Sequence, residues 1–282
     1  MKSGGGLEVF FLGTGGGRFA IVTQRRRTGG IRILSEKANL HVDPGPGALV
    51  HSIEQRSIEQ RLDPRKLTGV LITHVHPDHA NDGNVMLEAM TGGAVKRQGF
   101  LVCARSVTRG NETVDPVVSK YHRKLPSMVA ELKAGEKVSI GGFEIEAVKA
   151  VHYDPDTIGF KVRLPEGETL GYTSDTEYFE GVGEAYRSVD LLILCSMRPR
   201  GAPLRWHMSV DDAVKILEEA RPRRAVLTHF GMKMLYDTSP QEEARYVEKV
   251  TGVPTQAAED NMKIKVEKGR SLTEFFGGAE EG

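Results

Sequence analysis

The chain has little cysteine, no excess charge and no long apolar run, and each absence excludes a class of protein. The only two cysteines, Cys103 and Cys195, each lie in an apolar run. Buried free thiols are therefore expected, with a single disulfide as the alternative. Lysine plus arginine and aspartate plus glutamate both number 38, so the net charge gives no broad attraction to nucleic acid or anionic membranes. No stretch approaches the roughly 20 apolar residues of a membrane span.

Length and composition are those of an ordinary globular protein. The 282 residues, 39% of them hydrophobic, suit one large or two small domains with a sizeable core. We see no linker between folding units, so we predict a single domain over residues 1–282, with a disordered tail at about 277–282. Residues 1–6 lack an apolar signal segment, which predicts a cytoplasmic location. The sequence leaves open a monomer or a homodimer.

Strand-like and helix-like segments alternate along the chain. Several strands are paired about glycine-containing turns, and helices separate the groups, which favours two packed sheets with helices outside. The predicted strands are 7–12, 31–34, 40–42, 69–73, 100–103, two within 136–151, two within 159–173, 190–195, 225–228 and 262–266. The predicted helices are 84–90, one that follows an N-cap at Ser209, and 241–250.

The most informative stretch follows the apolar run 69–73, where His74, His76, Asp78 and His79 fall within six residues. Imidazole and carboxylate are ligands of divalent transition metals such as zinc. A single turn at a strand end can present all four side chains together. The alternative is a polar loop that happens to be rich in histidine. Four such residues directly after a strand-forming run are improbable by chance, because histidine and aspartate are not strand formers and the preceding residues are.

Residues 73–79 match the His-x-His-x-Asp-His signature of the metallo-β-lactamase superfamily of metal-dependent hydrolases, which the chain resembles. Asp43, His152, Asp175 and His229 each follow a strand-like segment in the order expected for that family. The resemblance extends from about residue 7 to residue 266. It implies an α/β fold, a four-layer αββα sandwich of two mixed β-sheets flanked by helices.

A weak internal echo accompanies this resemblance. Residues 69–74 resemble residues 224–229, and each segment is preceded by an aspartate at a strand end, Asp43 and Asp175 respectively. The echo indicates two halves that face each other across a pseudo-twofold axis. Ligands from both halves would then meet at one edge of the sandwich.

The ligand residues divide into two metal sites joined by a carboxylate. We hypothesise a first site of His74, His76 and His152, a second of Asp78, His79 and His229, and Asp175 as a bridge between ions about 3.5–4 Å apart. Zinc is the expected metal, with manganese or iron as alternatives, and no cysteine stands at a ligand position. A water shared by two ions would form a hydroxide near neutral pH and act as the nucleophile. Asp78 is thus expected to serve catalysis as well as binding.

Residues near the ligands are candidates for supporting roles. Asp43 could orient a ligand histidine or simply form the turn before Pro44. Arg200 and Arg205 could bind phosphate oxygens or belong to a solvated basic surface. The loop at 13–17 is not a dinucleotide fingerprint, since Arg18 replaces the last glycine and no helix pattern follows.

His207 bears on which bond is cut. The block 207–231 resembles the phosphodiesterase branch of the superfamily, which includes ribonuclease Z. In that branch a histidine here contacts the scissile phosphate or protonates the leaving oxygen, as a side chain that titrates near neutrality can. The alternative is a histidine that packs beside Trp206.

We therefore expect a binuclear phosphodiesterase with a small or nucleotide-like substrate. RNA is not favoured, because bacterial-type ribonuclease Z enzymes carry a long arm between the motifs matched by His152 and Asp175, and only a hairpin fits there. The alternatives are a thioester or lactone hydrolase similar to glyoxalase II, an RNA-processing nuclease, and a non-catalytic metal-stabilised binding protein. Segment 91–133 could be an insertion that covers the substrate, and its sequence does not identify the ligand.

Overall fold

Two β-sheets form the centre of the structure, a computed structural model that describes residues 7–266. The predicted tail at 277–282 lies outside the described residues. The strands are β1 (Leu7–Phe11), β2 (Ile31–Leu34), β3 (Asn39–Val42), β4 (Gly69–Ile72), β5 (Phe100–Ala104), β6 (Met128–Leu132), β7 (Lys137–Ile140), β8 (Phe143–Lys149), β9 (Ile158–Arg163), β10 (Thr169–Tyr172), β11 (Leu191–Arg198), β12 (Met208–Ser209), β13 (Ala225–Thr228), β14 (Thr255–Ala257) and β15 (Lys263–Val266). The helices are α1 (Arg18–Thr23), α2 (Ala48–Gln55), α3 (Pro77–Ala80), α4 (Gly83–Met90), α5 (Arg105–Arg109), α6 (Val210–Ala220), α7 (Met232–Tyr236) and α8 (Pro240–Thr251).

Each sheet is antiparallel in one half and parallel in the other. The first sheet has the order β15-β1-β2-β3-β4-β5-β6, and its strands are antiparallel up to β3 and parallel from β3 onward. The second has the order β14-β13-β11-β10-β9-β8-β7, antiparallel from β7 to β10 and parallel from β10 to β14. The α/β sandwich of two mixed sheets expected from the sequence is therefore confirmed.

The internal echo is only partly correct. Asp43 and Asp175 do occupy equivalent places, each just beyond the strand at which its sheet changes from antiparallel to parallel pairing. The histidine segments are not equivalent, however. Strand β4, which precedes His74, lies next to β3, whereas β13, which precedes His229, is separated from β10 by β11.

Successive residues of a strand belong to different parts of the hydrophobic core, as expected of a sheet that is covered on both faces. In β11, Leu191, Ile193 and Cys195 belong to the large cluster between the two sheets. The intervening Leu192 and Leu194 belong to a second cluster, where the sheet packs against α6 and α8. The uninterrupted apolar sequence of β11 therefore reflects burial on both faces rather than a helix.

The helices begin and end at residues that the sequence could identify. Ser209 caps α6 in a capping box with Asp212, as its position before an amphipathic segment predicts. Helix α8 starts at Pro240 after the cap Ser239 and ends at Gly252, which adopts a left-handed conformation. These two helices cover the outer face of the second sheet.

Two predictions from composition can be compared with the described residues. Cys103 and Cys195 are both buried free thiols, and burial raises the pKa of each well above its usual value. Free thiols were the expected state. Within residues 7–266, no helix is both long enough and apolar enough to cross a membrane.

Candidate metal centre

The turn after β4 presents four candidate ligands because of where a proline stands. His76 precedes Pro77 and is therefore extended rather than helical. Pro77 then opens the short helix α3, whose first turn carries Asp78 and His79. The change from extended to helical backbone separates the histidines into two groups. His74 is fully buried, and Asp78 and His79 are nearly so.

The first group brings together three histidines from two loops. The Nδ1 atom of His76 lies 3.1 Å from Nε2 of His74 and 2.9 Å from Nε2 of His152. Three ring nitrogens thus converge on one point although residues 76 and 152 are far apart in sequence. Three imidazoles in this arrangement can hold a divalent ion.

The second group is built around His229, which follows β13. Its Nε2 atom lies 2.9 Å from Nε2 of His79 and 3.2 Å from Oδ2 of Asp78. His229 has a positive φ of 63°, a conformation that is unfavourable for a residue with a side chain. The strand end holds the imidazole in this strained position, where it faces α3.

Asp175 lies between the two groups and is almost completely buried. Its Oδ2 atom is 3.5 Å from Nε2 of His79 and 3.9 Å from Nε2 of His152. Its Oδ1 atom is 3.2 Å from Nδ1 of His229 without the alignment of a hydrogen bond, and neither atom has a hydrogen-bond partner among residues 7–266. A buried carboxylate oxygen with no donor fits a cation. The structure therefore brings all seven predicted ligands together, and Asp175 lies between the two groups.

Metal ligands must be deprotonated to bind, and the pKa shifts of His74, His76, His152 and Asp175 favour that form, whereas the shift of His79 does not. Burial holds the pKa of His74 and His76 below the usual value and lowers that of His152 to about 4. For Asp175, burial opposes ionisation, but His229 and His79 outweigh it and hold the pKa well below its usual range. For His79, burial opposes protonation, but the carboxylates of Asp175 and Asp78 raise its pKa well above the usual value.

Asp43 orients His79. Its Oδ2 atom accepts a hydrogen bond of 2.7 Å from Nδ1 of His79, and its two oxygens also accept from the backbone N–H and the hydroxyl of Thr73, each at 2.8 Å. The proton of His79 is thereby held on Nδ1, which leaves Nε2 free to face His229. Of the two interpretations of Asp43, the geometry supports the one in which it orients a ligand.

Two further ligands have their rings held in the same way. Nδ1 of His152 is 2.8 Å from the backbone oxygen of Trp206, and Nδ1 of His74 is 3.0 Å from the hydroxyl of Thr73. In each ring the atom directed at the other ligands is Nε2. The sequence could not reveal the partner of His152, because a backbone carbonyl can belong to any residue.

Replacing Asp43 with asparagine is expected to weaken metal affinity by about 10- to 100-fold. The N–H of Thr73 donates to the Oδ1 position of residue 43, so the amide oxygen of the asparagine occupies that position. The amide NH₂ then faces Nδ1 of His79 and forces the imidazole proton of His79 onto Nε2. Asp190→Asn is the matched control, since Asp190 also accepts from a threonine N–H and hydroxyl, those of Thr169. Competition with a chelating dye measures the affinity, and equal affinities in both variants would contradict the role of Asp43.

The glycine loop at 13–17 also belongs to the centre. The N–H of Gly17 donates to Oδ2 of Asp78 at 2.6 Å, and Asp260 accepts hydrogen bonds from the N–H and hydroxyl of Thr14 and from the N–H of Arg27. The expectation that no helix follows this loop is wrong, since α1 begins at Arg18. This helix is only six residues long and buries a single residue, which explains why it lacks an amphipathic pattern.

Part of segment 91–133 supports the loop that carries His152. Asp154 is fully buried, and its carboxylate accepts hydrogen bonds from Ser106 at 2.6 Å and Asn111 at 3.1 Å. Its backbone oxygen accepts from the hydroxyl of Thr157 at 2.7 Å. Ser106 and Asn111 therefore hold the loop that carries His152, and neither residue borders the cleft.

His207 lies beside the two ligand groups. Its Nε2 atom is 3.6 Å from Oδ2 of Asp175, and its ring meets that of His152 edge to face, with centroids 5.1 Å apart. Nδ1 lies 3.1 Å from the backbone oxygen of Arg205. The side chain remains 19% exposed, so Nε2 faces both the centre and the cleft.

The predicted arginines lie in different places. Arg200 pairs with the buried Glu243 at 2.9 Å and covers the ring of Tyr246, both on α8. It is therefore directed at a helix rather than at the ligand groups. Arg205 stacks on the ring of Trp206 at 4.4 Å.

A cleft of about 1060 Å³ opens at the centre. Its walls include candidate ligands from both groups, together with His207. Three cationic residues, Arg18, Arg198 and Lys233, contribute to the walls, and the remainder is largely apolar. A polar, metal-ligating floor with apolar walls is typical of a small-molecule site.

Comparisons with known proteins agree with this geometry. Residues 38–230 match the family model described as "Beta-lactamase superfamily domain". The chain is 35% identical over 266 residues to the uncharacterized protein MJ1374 of Methanocaldococcus jannaschii, with 94% of this chain and 97% of that protein covered. It is 22% identical over 313 residues to ribonuclease Z of Methanosarcina acetivorans, with coverages of 92% and 98%. The solved structure of the metallo-beta-lactamase fold protein YhfI from Bacillus subtilis has a TM-score of 0.73 at 20% identity, with coverages of 92% and 99%.

Proposed function

The chain belongs to the beta-lactamase superfamily of metal-dependent hydrolases, and from this premise we propose that it is a binuclear phosphodiesterase that cleaves small phosphodiesters. The observation that carries the proposal is the position of His207, with Nε2 3.6 Å from the central carboxylate of Asp175 and open to the cleft. An acyl thioester does not require a proton donor and a cationic wall together, whereas a phosphodiester uses both.

The residues that would hold the ions are the two groups already described. His74, His76 and His152 would bind one divalent ion, Asp78, His79 and His229 the other, and Asp175 both. Divalent ions bound there supply Lewis acidity and make a water acidic enough to act as a nucleophile near neutral pH. Zinc suits this nitrogen-rich donor set, and manganese or iron would also fit.

The protein's own groups would bind and orient the substrate. Arg18, Arg198 and Lys233 place positive charge in the walls of the cleft, where it would attract a phosphate. The apolar remainder of the walls limits water at the reacting bond, which strengthens these charge interactions. His207 would donate a proton from Nε2 to the leaving oxygen, while its Nδ1–H stays hydrogen-bonded to the backbone oxygen of Arg205.

A small substrate is supported by what the chain lacks relative to ribonuclease Z. Between His152 and Asp175 the described chain contains only the loop that leads to β9 and the β9–β10 hairpin, so no extended arm lies there. The alignment with the Methanosarcina enzyme runs to 313 positions, more than the 282 residues of this chain. That enzyme therefore contains inserted residues with no counterpart here.

Replacing His207 with glutamine is expected to lower kcat for a phosphodiester with an alkyl leaving group by at least about a hundredfold while metal content stays unchanged. The effect should be larger for an alkyl leaving group than for p-nitrophenolate, since p-nitrophenolate leaves without protonation. His122→Gln is the matched control, because His122 bonds to Ser119 and Glu88 away from the centre.

The same assay tests the proposed function. Turnover of bis(p-nitrophenyl) phosphate by the metal-loaded protein is the expected result, with a loss in His207→Gln that is much larger for a diester with an alkyl leaving group than for this substrate. A protein that binds metal fully but hydrolyses acyl thioesters and no phosphodiester would overturn the proposal. In that case the thioester or lactone hydrolase expected as the alternative would take its place.

A further inference from the structure

Two aromatic side chains line one side of the cleft, next to a candidate ligand. Tyr153 follows His152 directly, and the backbone oxygen of Trp206 holds the ring of His152. Both aromatic side chains border the cleft. We propose that Tyr153 and Trp206 form a stacking platform for a planar heteroaromatic group, such as a nucleobase, on one ester arm of the substrate. This inference rests on the proposed phosphodiesterase function and specifies its substrate class.

The ring geometry suits a flat ligand. The ring of Tyr153 is nearly parallel to the imidazole of His76, with an interplanar angle of 19° and centroids 6.1 Å apart. Trp206 meets Tyr153 edge to face at 5.3 Å. Tyr153 nevertheless remains 47% exposed, so much of its ring surface has no protein partner. Exposed aromatic surface beside a ligand-lined floor indicates a binding surface.

Arg205 fixes the plane of the Trp206 ring. Its guanidinium lies 4.4 Å from the ring centroid and covers part of the ring with a cation. A stacked arginine and an edge-on tyrosine hold the indole in place. Because the Tyr153 and Trp206 rings are inclined at 71°, a base stacked on one ring would meet the other edge to face.

The opposite ligand group has a wall of a different kind. Gly17 donates to Asp78 and is followed by α1, whose Phe19 and Val22 are 72% and 76% exposed and border the cleft. The aromatic pair thus lies on the His152 side of the centre and α1 on the Asp78 side. A phosphate between the two groups would extend one ester arm toward each wall. Among the described residues that border the cleft, the His152 side has two aromatic rings, and the α1 side has the single ring of Phe19.

The size of the cleft agrees with a mononucleotide-sized group. Its volume of about 1060 Å³ lies at the upper end of pockets that enclose small ligands, on the order of 300–1000 Å³. A nucleobase with its sugar phosphate fits such a space. The three cationic residues of the walls would accompany the phosphate rather than the base.

Trp206 is the only tryptophan in the sequence, so its fluorescence reports directly on the platform. We would titrate metal-loaded protein with adenosine 5′-monophosphate and, separately, with ribose 5-phosphate, which carries a phosphate but no base. Excitation at the red edge of tryptophan absorption avoids both adenine and tyrosine. The expected result is quenching by the nucleotide, with an affinity at least about tenfold higher than that of the base-free phosphate.

Tyr153→Ala is the corresponding variant, because an exposed side chain can be removed without disturbing the core. It should weaken adenosine 5′-monophosphate binding by about tenfold or more, with a smaller effect on ribose 5-phosphate, and Tyr153→Phe should restore the nucleotide affinity. Tyr121→Ala is the matched control, since Tyr121 is 55% exposed on a different segment and packs only against His122 among aromatic rings of the described residues.

The possible results separate the two proposals. Turnover of bis(p-nitrophenyl) phosphate together with equal affinities for nucleotide and base-free phosphate would overturn the platform and leave the phosphodiesterase intact. Tighter nucleotide binding that Tyr153→Ala does not weaken would also overturn it. Absence of phosphodiester turnover would remove the proposed function, whatever the fluorescence titration gives.

Discussion

Replacing Asp175 with alanine is expected to remove at least one of two divalent ions and to lower phosphodiester hydrolysis by at least about a thousandfold. Asp175 is the carboxylate that faces both ligand groups, with Oδ2 near His79 and His152 and Oδ1 near His229. Without it, each group retains only three protein ligands, and nothing links the two ions. Elemental analysis after dialysis measures the loss.

The control for this variant must separate metal loss from unfolding. Asp237→Ala removes an exposed carboxylate outside the centre and should retain full metal and activity. Thermal unfolding of both variants without metal shows whether Asp175→Ala still folds. A folded Asp175→Ala protein that keeps two ions would rule out the bridging role.

The second large effect is expected from Gly16→Ala, which adds one methyl group. A β-carbon at Gly16 would lie 2.2 Å from Nδ1 of His229 and 2.3 Å from two carbons of that ring. Either the imidazole or the loop must move, and misplacement of a catalytic group by about 1 Å lowers rates by about a hundredfold. We expect an activity loss of at least that size, with weaker binding of one ion.

Gly181→Ala provides the contrast for this variant. Gly181 has a φ of 84°, and no atom of the described chain lies within 4 Å of an added β-carbon, so alanine there strains the backbone without a steric clash among residues 7–266. It should lower the free energy of unfolding by about 1 kcal/mol and leave metal binding unchanged. Full activity in Gly16→Ala would show that the loop can shift away from His229 without consequence.

Those parts of the centre that depend on local sequence could be predicted. His74, His76, Asp78 and His79 are neighbours in the chain, and a single turn after a strand must present them together. Asp175 could be assigned through the resemblance to the metallo-β-lactamase superfamily, because it follows a strand-like segment at the expected place in the order of motifs. Period-two burial and recognisable caps explain why most strands and the long helices were also predicted correctly.

What the sequence could not supply depends on contacts between distant residues. The close approach of Gly16 to the ring of His229 joins positions more than two hundred residues apart. A glycine-rich loop gives no indication in the sequence of the residue that it contacts. An arginine such as Arg200 is a suitable phosphate ligand, but the ion pair with Glu243 of α8 determines where its side chain points. Helix α1 escaped prediction because it buries too little to need a periodic pattern.

The pairing of β1 with β15 determines when the centre can form during synthesis. Leu7 lies opposite Val266, and Asp260, just before β15, holds the glycine loop that contacts Asp78 and His229. A ribosome synthesises residue 266 long after residue 7, so β1 has an open edge until residue 266 emerges. The glycine loop can therefore be fixed against Asp78 and His229 only after all seven candidate ligands are already present in the nascent chain.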